Sequence, residues 1–191
     1  MKTILMTCAL VGLPLIAVAE DAKKAPAAGA PAVAPPRPKA PPPMPTPAKE
    51  LEAAKGYVKN WTCTGIAGPN KDKSTAKMSI KKDLNNFWMT VRFEAKTGKM
   101  PVFIGQGYMG IDPVAKAWTF DGWDNFGGRL ALKAATTAVT PEAMTFAGEA
   151  VDTMMGGKVP AKFMFTLDAK SKQVKFWSEF SGQPGFEYTC K

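Results

Sequence analysis

No histidine occurs among the 191 residues of the chain. That single absence removes the Ser-His-Asp triad, the Cys-His dyad, histidine-ligated zinc or haem, and a histidine pH switch. Cys63 and Cys190 stand too far apart for a Cys-x-x-Cys redox site. No glycine-rich phosphate loop leads from a strand into a helix. What remains for catalysis is carboxylate chemistry, densest at Asp121 and Asp124, with Glu149 farther along. Two carboxylates flanking a glycosidic bond can hydrolyse it. Isolated acids in turns are more often solvated caps, so no catalytic residue is assigned and a non-enzyme is expected.

Binding chemistry is better represented. The stretch Gly107 to Gly128 packs Tyr108, Trp118, Phe120, Trp123 and Phe126 around a tight turn, with glycines that let backbones approach closely. Such aromatics either line the mouth of a ligand cavity or plug one end of a barrel. The candidate lining residues are Phe87, Met89, Phe93, Tyr108, Trp118, Trp123, Phe163 and Phe176. Methionines at 78, 89, 109, 144, 154, 155 and 164 suit an adaptable apolar interior. A thioether copper(I) site is the other use of methionine in a chain without histidine. Their spacing shows no cluster beyond Met154-Met155, so neither metal nor cofactor is expected.

These side chains need elements to carry them, and the first elements are segments to be set aside. Met1-Lys2-Thr3, the apolar run Ile4 to Ile16 and the small residues Ala17-Val18-Ala19 form the pattern of a secretory signal peptide. Cleavage is expected between Ala19 and Glu20. The run is too short to span a bilayer and Pro14 interrupts it. No later segment spans one as a helix, so a soluble periplasmic or secreted protein is expected. Residues 20–47 follow as a disordered Ala/Pro-rich linker. Its ten prolines between 26 and 47 forbid helix and sheet and favour a polyproline II spacer reaching roughly 70 Å. The spacer either holds the domain clear of the membrane or docks on a partner through Pro-x-x-Pro.

From residue 48 to 191 the composition is that of one folded domain. Lys49 to Lys55 reads as a short helix stopped by Gly56. Thereafter the apolar period is two. Phe87, Met89, Val91 and Phe93 share a face, as do Ala161, Phe163, Phe165 and Leu167, and then Val174, Phe176 and Phe180. Turn signals at 83–86, 96–99, 112–116, 156–157 and 168–171 separate these runs. About ten strands without crossover helices give an all-β, antiparallel up-and-down barrel, with a two-sheet sandwich as the alternative. Removal of Cys8 with the signal peptide leaves Cys63 in the first strand and Cys190 in the last. In an oxidising compartment they are expected to pair, the alternative being two buried thiols. Pairing makes the first and last strands neighbours, as an up-and-down barrel requires.

Charge divides unevenly. Between Lys55 and Lys99 there are ten Lys/Arg and three acids, and between Asp112 and Asp152 six acids and three Lys/Arg. The basic half is either a solvated face or a surface for anionic envelope material. Nucleic acid is not an expected partner for an exported chain.

The order Trp61-Thr62-Cys63-Thr64-Gly65, Gly107-Tyr108, Asp112 to Trp118, Asp124 to Gly128, Phe146 to Glu149 and Tyr188-Thr189-Cys190 resembles the family called domain of unknown function 1579. The likeness runs from about Leu51 to Lys191. It implies a calycin-like barrel, similar in outline to lipocalins and fatty-acid-binding proteins, with no activity attached. Lys59 stands where that family opens its first strand with glycine, and the histidine ligand of haem-binding calycins has no counterpart. Three functions are thus in play. A barrel binding a small apolar or amphipathic ligand would fail on a solid lumen. A filled scaffold using its basic face and Pro-rich arm would fail on absent or salt-insensitive envelope binding. A carboxylate hydrolase would fail if Asp121→Asn and Asp124→Asn left a detected activity unchanged.

Overall fold

The computed structural model describes residues 43–153 and 156–191, without the side chain of Asp152. The expected signal peptide, its cleavage site, most of the linker, and Met154 and Met155 lie outside the described residues. Pro43 to Pro47 carry no regular structure and lead into a 3-10 helix, Lys49–Tyr57.

Ten strands follow: β1 (Asn60–Ala67), β2 (Asp72–Asp83), β3 (Trp88–Thr97), β4 (Phe103–Asp112), β5 (Ala117–Asp124), β6 (Arg129–Ala135), β7 (Ala143–Asp152), β8 (Gly157–Asp168), β9 (Gln173–Phe180) and β10 (Gln183–Cys190). Each pairs antiparallel with the next, and β1 pairs with β10, so the sheet closes as an up-and-down barrel. The sandwich alternative falls away. Closure leaves no edge strand to aggregate.

Strand parity decides which side chains fill the interior. On β3, Met89, Val91, Phe93 and Ala95 are buried, while Arg92 and Lys96 are exposed. Phe163 and Phe165 on β8, and Val174 and Phe176 on β9, repeat this. Cys63 and Cys190 are register partners on β1 and β10 and form a disulfide. They face inward next to Thr62 and Lys191, which exchange both backbone hydrogen bonds, and so form a non-hydrogen-bonded pair of the ladder, where side chains approach most closely.

The barrel is filled at one end only. The 3-10 helix does not stop at Gly56, as expected, but runs through it to Tyr57. A Cβ on Gly56 would lie 2.6 Å from the Leu167 side chain, so glycine lets the helix sit against the end of β8. Leu51, Ala54 and Tyr57 are spaced by three, the 3-10 period, and all are buried. The Tyr57 ring meets Phe165 edge-on at 6.4 Å between centroids. The Trp61 indole N–H donates to the Tyr57 carbonyl at 2.9 Å, and the Lys59 ammonium lies 4.0 Å from the Trp61 ring centroid. Ile80, Met109, Trp118, Met144 and Val174 complete a packed floor.

A half-hollow lumen as the candidate binding site

Above that floor the interior is empty. A cavity of about 530 Å³ occupies the other half of the barrel and opens where the β1–β2, β3–β4, β5–β6, β7–β8 and β9–β10 turns gather. This is within the range of small-molecule sites.

Its walls differ in chemistry. Phe163, Phe176, Phe186 and Tyr188, on β8 to β10, form a ring-lined side. Phe176 meets Phe186 at 4.7 Å between centroids, and Phe93 reaches the same cluster at 5.4 Å from Phe176 and 5.3 Å from Tyr188. Five strands around the barrel, β4 and β5 present Gly105, Gly107 and Gly122 together with Phe103 and Phe120. A Cβ on Gly107 would come within 2.9 Å of the Gly122 Cα, so these strands cross too closely for any side chain. The Phe103 and Phe120 rings lie over Gly105 and Gly107, 3.2 and 3.0 Å from where their Cβ atoms would stand, so rings line both sides of the lumen.

One polar point is built into the ring-lined side. Tyr188, Gly65 and Ser74 are register partners in a row across β10, β1 and β2. With no side chain at Gly65, the Tyr188 hydroxyl reaches the Ser74 hydroxyl at 2.7 Å. Ser74 is also 2.7 Å from the Thr97 hydroxyl and donates to the Lys96 carbonyl at 3.1 Å. Burial raises the Tyr188 phenol above its ordinary pKa, against the opposing hydrogen bonds to Ser74 and Thr97. Among the described residues lining the cavity, the charged side chains are Asp72, Asp124 and Arg129, all at the mouth. Asp124 accepts the backbone N–H groups of Phe126 and Gly128 at 2.8 and 3.0 Å, which fixes the β5–β6 turn.

Of the residues expected to line a ligand site, Phe93, Phe163, Phe176 and Trp123 border the cavity. Trp123 stands at the mouth with outward parity on β5, half exposed. Met89 and Trp118 face inward as expected, but they belong to the packed floor. Tyr108 is a correction: β4 turns its odd-numbered residues inward, so Tyr108 is outside, paired with Thr90 and Asp121. Phe87 is another, sitting half-buried in the β2–β3 turn at the floor end. The aromatic stretch is therefore divided among floor (Trp118), lumen (Phe120), rim (Trp123, Phe126) and exterior (Tyr108). Phe186 and Tyr188 were missed, although with Cys190 they alternate like any inward face.

The three acids do not converge. Asp121 lies on the outer face, Asp124 holds its own turn, and Glu149 is on the outer face 3.3 Å from the Lys158 ammonium. Met78, Met89, Met109 and Met144 are buried in the core, Met89 and Met109 as register partners on β3 and β4.

No protein-family model matches the chain, and no curated protein matches it. Among solved structures, it is similar to a de novo designed fluorescence-activating β-barrel, at 11% identity and a TM-score of 0.39, over 73% of this chain and 95% of that one. It is also similar to the structure of EF1p2_mFAP2b bound to DFHBI, at 13% identity and a TM-score of 0.43, over 75% of this chain and 98% of that one. Neither likeness bears on function.

Proposed function

We propose that this chain is an exported, non-enzymatic carrier of the calycin type, related to domain of unknown function 1579, whose lumen takes a small, neutral, apolar molecule. The observation that carries the reading is the cavity of about 530 Å³, lined by phenylalanine rings and closed at one end. A lumen with its charges confined to the mouth disfavours an ionised group at depth, because an unpaired buried charge is strongly penalised. Rings on both sides of the lumen, with Phe120 facing Phe163 at 6.1 Å between centroids, favour a flat ring system that gains stacking contacts. The disulfide and the signal-peptide pattern agree with an oxidising compartment outside the cytoplasm.

Native mass spectrometry of the protein from the periplasm, before and after organic extraction, tests this. The expected result is a discrete bound mass that extraction removes. The extracted protein should then bind the neutral dye phenylnaphthylamine at one saturable site, weakened by Ala95→Leu in the lumen wall. A clean apo mass together with no saturable dye binding would refute the reading. A mature mass beginning at Glu20 and lacking two hydrogens checks the cleavage site and the disulfide.

A further inference from the structure

We infer that the mouth of the barrel is a docking surface for an anionic lipid bilayer. Five large apolar side chains that the described residues leave exposed, Met100, Val102, Trp123, Phe126 and Val151, stand at the open end. They belong to three turns adjacent around the barrel, β3–β4, β5–β6 and β7–β8, and to the strand ends beside them. The floor end exposes only isolated examples, such as Leu84 and Val114. Single exposed apolar residues need no explanation, but a group around an apolar opening marks an interaction site.

The rim is held in this state rather than left loose. The Asn125 side chain donates to the Val102 carbonyl at 2.9 Å and accepts the Ile104 N–H at 2.8 Å, tying β3–β4 to β5–β6. The Thr153 hydroxyl donates to the Phe126 carbonyl at 3.0 Å, tying β5–β6 to β7–β8. These bonds tie together the three turns that carry Trp123, Phe126 and their neighbours.

Charge selects the partner. On the outer face, register places Arg129 between Trp123 and Val151. Arg129 and Lys99 are exposed and have no acidic partner among the described residues, whereas Lys158 is paired with Glu149 and Asp124 is turned onto its own turn's amides. Tryptophan and other apolar side chains interleaved with cations suit the interface of an anionic bilayer. A mouth-to-mouth dimer would bring the same cations together. The apolar rim is also continuous with the lumen, so a molecule dissolved in the bilayer would pass between the two without crossing water.

The test is co-sedimentation of the processed protein with phosphatidylcholine vesicles, with and without phosphatidylglycerol. Binding to the anionic vesicles is expected, weakened by salt, and absent or much weaker with phosphatidylcholine alone. The double variant Trp123→Ser/Phe126→Ser should lose at least tenfold in partition, and Arg129→Gln about fivefold. Unchanged thermal unfolding confirms that the variants fold, and both side chains are exposed enough to be removed safely. No sedimentation, or sedimentation indifferent to these substitutions, overturns the inference. So does a lipid-independent dimer in analytical ultracentrifugation that the double variant dissolves, which would assign the rim to a second copy. Phenylnaphthylamine binding by the unsubstituted protein in the absence of lipid reports on the lumen without touching Trp123, Phe126 or Arg129, which border the mouth, so failure of docking and failure of the carrier reading are distinguishable.

Discussion

Ala150→Leu separates a hollow lumen from a packed one by the sign of its effect. Ala150 faces inward on β7 between its register partners Leu130 and Val159, and it borders the cavity. Leucine adds three carbons. If they enter space bounded by Phe163, Leu130 and Phe120, burial at about 0.8 kcal/mol per carbon gives an upper limit of about 2.4 kcal/mol. Rotamer restriction removes about 0.5–1 kcal/mol, so a net gain of about 1–2 kcal/mol is expected. In a packed interior the same carbons would be forced off their rotamers, with a loss of about 1–3 kcal/mol. Urea unfolding followed by tryptophan fluorescence reads the difference as a shift in midpoint at constant slope. The stabilised variant should also bind the neutral dye more weakly, because the leucine occupies part of its site. A loss of 1 kcal/mol or more would refute the hollow lumen and, with it, the carrier reading.

Three further outcomes are expected. Replacing Cys63 and Cys190 by serine opens a loop of sequence separation 127. On the chain-entropy account this removes up to about 5 kcal/mol, and a loss of at least about 2 is expected in urea unfolding against the oxidised protein. Gly107→Ala places a methyl against the Asp121 carbonyl and Gly122 backbone, so it should destabilise by about 1–3 kcal/mol. Gly105→Ala, which meets mainly the Phe103 ring, should be milder, and the two melts compared directly check this. Burial raises the Tyr57 and Tyr188 phenols, so the folded state holds those protons more tightly than the unfolded chain. Stability should therefore hold below about pH 10 and decline as pH rises beyond it. Tyr188→Phe should flatten that decline in urea midpoints measured across alkaline pH, and it should lose about 1 kcal/mol near neutrality with the Ser74 hydrogen bond.

The ring-lined half of the lumen was legible because β3, β8 and β9 alternate without interruption. Phe93, Phe163 and Phe176 follow from a period of two and nothing else. The same rule misassigned Tyr108, and the cause is specific. On β4 the inward positions between Phe103 and Met109 are Gly105 and Gly107, so the middle of the strand's interior face has no apolar side chain to count. A tyrosine on the outer face then looks like the buried one. Met89 and Trp118 have the right parity but the wrong height. Periodicity says which side of the sheet a residue faces, not how far along the barrel it lies. Height here depends on the 3-10 helix, whose spacing of Leu51, Ala54 and Tyr57 was readable but whose destination was a tertiary matter. For Trp123 and Phe126 the sequence left a cavity mouth and a barrel plug as alternatives, and their exposure at the rim follows only once the turns are placed. The disulfide needed only the count of two cysteines in the mature chain and their positions in the first and last strands.

The Cys63–Cys190 bond also decides how the barrel responds to a mechanical load. Tension applied between the backbone before Cys63 and that after Cys190 runs through two side chains and one sulfur–sulfur bond. It does not run through the residues between them, which contain nearly all of every strand and every wall of the lumen. Those strands would carry no force while the bond lasts, and the cavity would keep its shape under a pull that would otherwise peel β1 from β10. Reduction would convert the same chain, pulled from the same points, into a zipper opening from the β1–β10 seam.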